Sequence, residues 1–142
     1  MSRLANIIRR IDSFVVAGRR DELVSFLTGE PSWFQDLPIF TQALPGCYER
    51  HLIGKTPYME VYVMNWGTGA NTGVHSHPKG GCWLRLLDGS LVEARDDAKT
   101  VLKPGYVGFL QGDETHAISC LEERGAVSLH VYSPRSLIYT GR

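Results

Sequence analysis

The stretch GANTGVHSHPKGGCWLRLLDG, residues 69–89, carries the most information about the fold. Its two histidines, His75 and His77, stand two positions apart, and on a strand such side chains point to the same face and can reach one ion. Residues 82–87 have the composition of a strand, and Asp88-Gly89 after them predicts a hairpin turn. By itself the histidine pair fits a metal site and two surface histidines equally well.

Short strand-like segments separated by turns continue on both sides of this stretch. Residues 58–65 alternate in polarity and are rich in β-forming residues. Downstream, turns separate further segments at residues 90–94, 106–110, 115–120 and 126–132. Many short strands at close spacing predict a mostly β protein with a sandwich or barrel architecture.

The first third of the chain is predicted to be helical. Its apolar residues recur at three- and four-residue spacing, at Leu4, Ile7, Ile8, Ile11 and Val15. Asp21 is placed to open a second short helix that Gly29 and Pro31 end. We expect residues 1–44 to form a helical segment packed on a barrel of residues 45–134, all within a single domain.

Composition limits the classes of partner. The 142 residues suit one domain, and 15 basic residues balance 15 acidic ones, so neither nucleic acid nor an anionic membrane is an expected partner. We expect no signal peptide and no membrane span, because no apolar run reaches about 18 residues. Cys47, Cys82 and Cys120 are an odd number of cysteines, which favours reduced thiols in the cytoplasm.

The spacing around the histidine pair resembles the first sequence motif of the cupin superfamily. Gly69 is followed after five residues by His75-x-His77, after four more by Cys82, and after six more by Gly89. Cys82 is the departure from the motif, because cupins usually have a glutamate at that position.

A second segment resembles the second cupin motif, which runs from a glycine through eleven positions to a histidine. Gly105 and His116 have that spacing, although Gln111 and Asp113 replace the inner proline and glycine. The two resemblances together imply a cupin barrel, also called a double-stranded β-helix or jelly roll, with N-terminal helices. They also imply one metal ion bound by His75, His77 and His116.

The absence of the glutamate affects which metal chemistry is expected. Three neutral imidazoles leave the full charge of the ion for the substrate to offset, and an anionic thiolate suits that role. Oxygen activation needs a redox-active metal such as Fe(2+), whereas zinc has no redox couple. Three protein ligands leave about three positions on an octahedral ion, enough for a thiolate, an amine and dioxygen.

The last predicted strand has two different faces. Ser128, His130 and Tyr132 alternate with three aliphatic residues, so the polar side chains share one face. Such a polar face either meets solvent or lines a polar cavity. Ser133-Pro134 follows, which favours a turn and allows a cis peptide bond.

These features together resemble one cupin family, the cysteine dioxygenases, over roughly residues 45–134. The matching positions are Tyr48-x-Arg50, His75-x-His77, Cys82, His116 and Val127-Ser128-Leu129-His130-x-Tyr132-Ser133-Pro134. The resemblance implies that Ser128, His130 and Tyr132 form a hydrogen-bonded relay beside the iron. It also implies a thioether bond between Cys82 and the ring of Tyr132.

The same resemblance implies a substrate. Arg50 would bind the carboxylate of L-cysteine, with Tyr48 near the substrate, and the reaction would add dioxygen to form cysteine sulfinic acid. The partners are then L-cysteine and dioxygen, and we expect a monomer. Arg85 is the main competitor of Arg50 as the carboxylate-binding residue, although its alternation with apolar neighbours predicts that it faces solvent.

Other interpretations remain open at this stage. One is a dioxygenase of 3-mercaptopropionate or another small thiol, although such relatives usually carry glutamine in place of Arg50. A second is a non-catalytic cupin that binds a metal or a small ligand, and a third is an isomerase that uses zinc or manganese. Outside the site, His51 is expected at the surface, Cys47 and Cys120 are expected to be buried, and Trp33, Trp66 and Trp83 are expected in the core.

Overall fold

The computed structural model describes residues 3–29, 37 and 42–133. Within these residues two helices precede eight strands, with α1 at Arg3–Val16 and α2 at Arg20–Thr28. The strands are β1 Tyr48–Thr56, β2 Met59–Trp66, β3 Cys82–Asp88, β4 Leu91–Arg95, β5 Ala98–Leu102, β6 Val107–Leu110, β7 Ala117–Ser119 and β8 Ala126–Tyr132.

The helices form where the apolar spacing predicts them. Ile7, Ile11 and Val15 are buried along one side of α1, and Leu23 and Leu27 are buried on α2. Both helices contribute to one apolar cluster with β2, β3 and β8, because a helix with one apolar stripe must bury it against another element. Trp33, Pro31 and Pro134 lie outside the described residues. None of the described helices is long and apolar enough to cross a membrane.

The strands form two antiparallel sheets, which confirms the mostly β class. The larger sheet has the order β1-β2-β8-β3-β6 and the smaller has the order β5-β4-β7. The outer face of the five-stranded sheet packs on the helices, and its inner face shares a second apolar cluster with the three-stranded sheet. The described strands are thus two packed layers, and they do not close into a continuous barrel.

The hairpin predicted at Asp88-Gly89 is wrong. Strand β3 pairs with β6 and β8, whereas β4 pairs with β5 and β7, so this turn carries the chain from one sheet to the other. Gly89 has a φ of 74°, and a Cβ there would lie 2.5 Å from the Gly125 carbonyl oxygen. The Asp-Gly dipeptide therefore indicates a tight turn with a positive φ. It does not indicate that the strands before and after the turn pair with each other. Strands β1 and β5 were not predicted.

Arg85 does not face solvent, contrary to the expectation from its neighbours. It lies on the outer face of β3, is 5% exposed, and donates hydrogen bonds to the carbonyl oxygens of Leu27 and Gly29. A cation at the last turn of α2 satisfies carbonyls that have no partner within the helix. This placement removes Arg85 from the inner face and from competition with Arg50.

The two remaining cysteines differ in exposure. Cys120 is buried, as predicted, whereas Cys47 is exposed, so that part of the prediction is wrong. Cys47 lies between the turn at residues 45–46 and β1, outside both apolar clusters.

Candidate metal centre and its surroundings

The three histidines predicted as ligands lie together between the two sheets. Their ligating nitrogens all lie within 4.8 Å of one another, and His116 Nε2 is 3.0 Å from His77 Nε2 and 3.2 Å from His75 Nε2. The sequence predicted the histidine pair on a strand. In the structure the pair lies in the loop between β2 and β3. An isolated antiparallel bridge between His75 and His116 brings the loop to the start of β7.

Each imidazole is held by its Nδ1 atom. His75 Nδ1 lies 3.0 Å from the Gly73 carbonyl oxygen and His77 Nδ1 lies 3.3 Å from the Glu114 carbonyl oxygen. His116 Nδ1 lies 2.8 Å from Glu93 Oε2. Carbonyl and carboxylate oxygens only accept, so each Nδ1 carries the hydrogen and each Nε2 lone pair is directed to the shared centre. Three converging lone pairs are a donor set that fits a cation.

Burial favours the neutral form of His75 and His77. Burial, together with the neighbouring imidazoles His116 and His75, lowers the pKa of His77 to about 4. Burial also lowers the pKa of His75. Since a histidine must be neutral to bind a metal, protons compete little with a metal at neutral pH.

The spacing of the nitrogens bears on the coordination geometry. With metal–nitrogen bonds of about 2.1 Å, two ligands at right angles lie about 3.0 Å apart and two tetrahedral ligands about 3.4 Å apart. Of the two separations, 3.0 Å equals the spacing of ligands at right angles and 3.2 Å lies midway between the two geometries, so both coordination geometries remain compatible with the site. An octahedral face leaves its opposite side for other ligands.

A small cavity adjoins the three imidazoles. Its volume is about 20 Å³, and besides the histidines Cys82, His130 and Tyr132 line it. This volume corresponds to roughly one water-sized sphere. It suits an ion, whereas a substrate must displace side chains to enter.

The polar face of β8 forms a buried chain of hydrogen bonds. Trp66 Nε1 donates to Ser128 Oγ at 2.9 Å, Ser128 Oγ lies 2.7 Å from His130 Nε2, and His130 Nδ1 lies 3.3 Å from the Tyr132 hydroxyl. Ser128 is fully buried and His130 is 4% exposed. The solvent-facing alternative for this face is therefore wrong.

The chain of hydrogen bonds has one direction. The indole N–H of Trp66 can only donate, so Ser128 accepts there and uses its own hydrogen toward His130 Nε2. Burial, with a smaller contribution from the positive charge of Arg50, lowers the pKa of His130 to about 3, so the ring is neutral. Its one hydrogen is then on Nδ1 and is donated to Tyr132, so the tyrosine's own hydrogen is available for its hydrogen bond with Cys82 at the cavity edge.

Cys82 and Tyr132 lie side by side at the edge of this cavity. They are directly paired residues of β3 and β8, and their side chains are hydrogen bonded to each other. Burial raises the pKa of Cys82 to about 12, so its sulfur is a protonated thiol. Burial, and then the neighbouring Cys82, raises the pKa of Tyr132 above its ordinary range.

Arg50 and Tyr48 lie on the same face of β1, at the rim of the site. The guanidinium carbon of Arg50 is 4.2 Å from the ring centroid of Tyr62 and 5.3 Å from that of Tyr132. Tyr48 packs on Trp66, with ring centroids 5.2 Å apart. Arg50 thus lies beside Tyr132, at one end of the hydrogen-bonded chain. Tyr48 contacts Trp66, at the other end.

Sequence reasoning missed two contributors to the site. Glu93 is 7% exposed and binds His116, and Trp66 was assigned only to the core although its N–H begins the relay. Glu93 shares the buried face of β4 with Leu91. A charged residue at an inward-facing strand position was the sequence signal that could have identified Glu93 as part of the site. His51 lies on β1, half-buried, 3.3 Å from the Glu49 carboxylate.

The fold and the three-histidine group define a cupin with a candidate metal centre. Solved structures support the fold: a cupin superfamily protein from Desulfitobacterium hafniense has a TM-score of 0.58 and 17% identity, covering 66% of this chain and 83% of that one. An RmlC-like cupin with a double-stranded β-helix fold, from Methanocaldococcus jannaschii, has a TM-score of 0.60 and 11% identity. The match covers 74% of this chain and 95% of that one.

The family follows from the sequence comparisons. Residues 3–104 match the family described as cysteine dioxygenase type I, and the chain belongs to that family. Cysteine dioxygenase type 1 of Danio rerio is 28% identical over 103 residues, which cover 61% of this chain and 51% of that protein. This chain thus spans about half the length of that relative. The family match ends before His116 and β8, which the structure brings to the site.

Proposed function

We propose that this chain is an iron(II) thiol dioxygenase that converts L-cysteine and dioxygen into cysteine sulfinic acid. One observation carries the proposal. The Nε2 atoms of three histidines converge beside a Cys82–Tyr132 pair whose tyrosine ends a buried relay, with Arg50 over the same tyrosine ring. Membership in the cysteine dioxygenase family and the weak similarity to the fish enzyme agree with it.

His75, His77 and His116 are the residues that would hold the iron. When bound, iron(II) supplies a redox couple for dioxygen and a Lewis acid that favours a thiolate. The choice of iron rests on the family and on the redox couple that dioxygen chemistry needs, which zinc lacks. Histidine binds a metal as the neutral imidazole, so three such ligands would leave an anionic thiolate substrate as the favoured partner of the ion.

Arg50 is proposed to bind the substrate carboxylate. A carboxylate leaving water needs a fixed partner, and a guanidinium can offer two parallel charge-assisted hydrogen bonds. The stacking of Arg50 on Tyr62 and Tyr132 orients the planar group, and its exposed position at the rim lets it move as the substrate enters. Tyr48 extends the same rim toward Trp66 and is proposed to lie near the substrate.

The relay is proposed to position the Tyr132 hydroxyl as a hydrogen-bond donor. Because Ser128 and His130 hold the tyrosine oxygen through His130 Nδ1–H, the tyrosine hydrogen is available to the reacting sulfur or oxygen. Burial raises the pKa of Tyr132, so the hydroxyl carries its proton when the substrate arrives. The group then contributes orientation and a preorganised dipole.

The paired Cys82 and Tyr132 are proposed to become linked by a thioether bond during turnover. Forming the bond from Sγ to a ring carbon removes one hydrogen from each side chain. The two electrons and two protons pass to dioxygen, which is reduced to hydrogen peroxide. Their adjacency across β3 and β8 supports the pairing, and the bond would hold the tyrosine in place.

Product analysis tests the proposal directly. Iron-loaded protein is incubated aerobically with L-cysteine, 3-mercaptopropionate and cysteamine, and oxygen uptake and products are measured by electrode and mass spectrometry. We expect L-cysteine to give the sulfinic acid with a mass gain of both oxygen atoms. A higher kcat/KM for 3-mercaptopropionate would change the substrate, and the absence of oxygen uptake with every thiol would leave a non-catalytic metal-binding cupin.

We infer a cytoplasmic enzyme acting as a monomer on a freely diffusing thiol. The free thiols of Cys47, Cys82 and Cys120 support a reducing compartment. Size-exclusion chromatography with light scattering measures the oligomeric state.

A further inference from the structure

A carboxylate lies directly behind one of the three candidate ligands. Glu93 Oε2 is 2.8 Å from His116 Nδ1, and the side chains are 9% and 3% exposed. We propose that Glu93 is the positioning residue of the metal centre, which makes His116 the strongest of the three donors and supplies the negative charge that the ligands themselves lack. The inference rests on the proposed function only in requiring that the three histidines bind a divalent metal.

The three imidazoles differ in what accepts their Nδ1 hydrogen. His75 and His77 donate to peptide carbonyl oxygens at 3.0 and 3.3 Å, whereas His116 donates to a carboxylate at 2.8 Å. Hydrogen bonds to a charged acceptor are shorter and stronger than those between neutral groups. A carboxylate on Nδ1 raises the electron density at Nε2, so the ring of His116 becomes a more basic ligand.

The burial of Glu93 is a second reason to expect a metal ion on His116. A carboxylate removed from water is costly unless it is paired with a positive charge. A divalent ion on the other nitrogen of the same ring supplies the compensating charge. The carboxylate and the ion then stabilise each other through the imidazole.

The fold holds Glu93 rigidly. It lies in the middle of β4, directly paired with Thr100 of β5 on one side and Ile118 of β7 on the other. His116 immediately precedes β7, so the carboxylate and the imidazole are set by neighbouring strands of one sheet. A residue on a central strand between two partners has little freedom to leave its position.

Substitution of Glu93 by glutamine isolates the contribution of charge. The glutamine carbonyl can still accept the hydrogen of His116 Nδ1, so E93Q keeps the hydrogen bond and removes the negative charge. We expect zinc, used as a redox-inert probe in competition with a chelating dye, to bind E93Q about 10–100-fold more weakly than the wild type. Binding within about threefold of the wild type in a folded E93Q protein overturns the proposal.

Glu122 provides a matched control. Glu122 also accepts a hydrogen bond of 2.8 Å, from the Ser90 hydroxyl, and touches none of the three histidines. E122Q removes the same charge, so its zinc affinity is expected to match the wild type. A loss as large as that of E93Q would assign the effect to net charge and reject the specific role of Glu93.

A measurement on the wild type covers the case in which E93Q fails to fold. In the zinc-loaded protein, proton NMR of the ligand Nδ1–H groups is expected to place His116 farthest downfield, since its acceptor is the charged one. A His116 signal no farther downfield than those of His75 and His77 refutes the proposal. Failure of the wild type to bind any zinc would instead remove the metal centre and the proposed function with it.

Discussion

The two sheets contribute different parts of the candidate site. The three-stranded sheet holds His116 at the start of β7 and Glu93 in β4, and the loop with His75 pairs along the same edge. The five-stranded sheet holds the relay, Cys82–Tyr132 and Arg50. The first region is a set of imidazole hydrogen bonds in which His116 and Glu93 are buried, whereas the second ends at an exposed rim of stacked rings. Metal retention and turnover should therefore be separable by mutation.

The largest expected effect is on the metal side. His116→Ala removes the ligand that both sheets surround, so the purified variant is expected to retain no iron and to consume no oxygen with cysteine. Elemental analysis after gel filtration and an oxygen electrode measure the two quantities. His51→Ala is the control, because this half-buried histidine of β1 lies beside Glu49 and should leave iron content unchanged. An active, iron-replete His116→Ala protein would contradict the three-histidine assignment.

On the substrate side, Arg50→Ala is expected to cost about 2–4 kcal/mol in kcat/KM for cysteine, because the carboxylate is left without its partner. Iron content should not change, and cysteamine, which has no carboxylate, should lose far less. Arg20→Ala is the control, since Arg20 also stacks on an aromatic ring, Phe109 at 4.9 Å, but on the outer face. Equal losses for cysteine and cysteamine in Arg50→Ala would remove Arg50 from carboxylate binding.

A smaller effect is expected within the relay. Trp66→Phe keeps an aromatic ring but removes the N–H that donates to Ser128, so the direction of the hydrogen bonds is no longer enforced. We expect kcat to fall on the order of tenfold with iron content unchanged. Trp83→Phe is the matched control, because it loses an N–H that donates to the Arg20 carbonyl oxygen away from the cavity. Similar kcat values for the two variants would show that Trp66 contributes packing alone.

The smallest effect is expected from the thiol. Cys82→Ser cannot form the thioether bond, so intact-mass spectrometry after turnover should show no loss of two hydrogens, while activity falls by a few-fold. Wild type and Cys120→Ser should both show that mass loss, since Cys120 is a buried thiol in the second apolar cluster. A wild-type protein that has turned over many times at full mass would rule out the link.

Much of the local structure was predictable from periodicity. The alternation in β8 separated its polar residues from Leu129 and Val131, and the structure buries those two against the helices. The three- and four-residue spacing in α1 identified its buried side. Motif spacing selected three histidines that the structure brings within 4.8 Å of one another. These features follow from local sequence because side-chain direction repeats with a fixed period along each element.

Other features depended on partners distant in sequence. Asp88-Gly89 predicted a turn but not the pairing of the strands on either side of it. That pairing depends on β6 and β8, which flank β3, and on β7, which pairs with β4. Arg85 was expected in solvent, yet the end of α2, 58 residues away, supplies carbonyls that make its burial favourable. No local pattern encodes such a partner, because the cost of burying a charge depends on what the fold places opposite it.

The sequence by itself determined the class of elements, the polar face of the last strand and the identity of three converging histidines. Only the tertiary structure decided which Nδ1 hydrogen goes to a carboxylate, that Trp66 heads the relay, and that Arg50 and not Arg85 shares the face of Tyr132. The reason is physical: residue spacing sets direction along one element, whereas hydrogen-bond partners and burial are set by the packing of separate elements against one another.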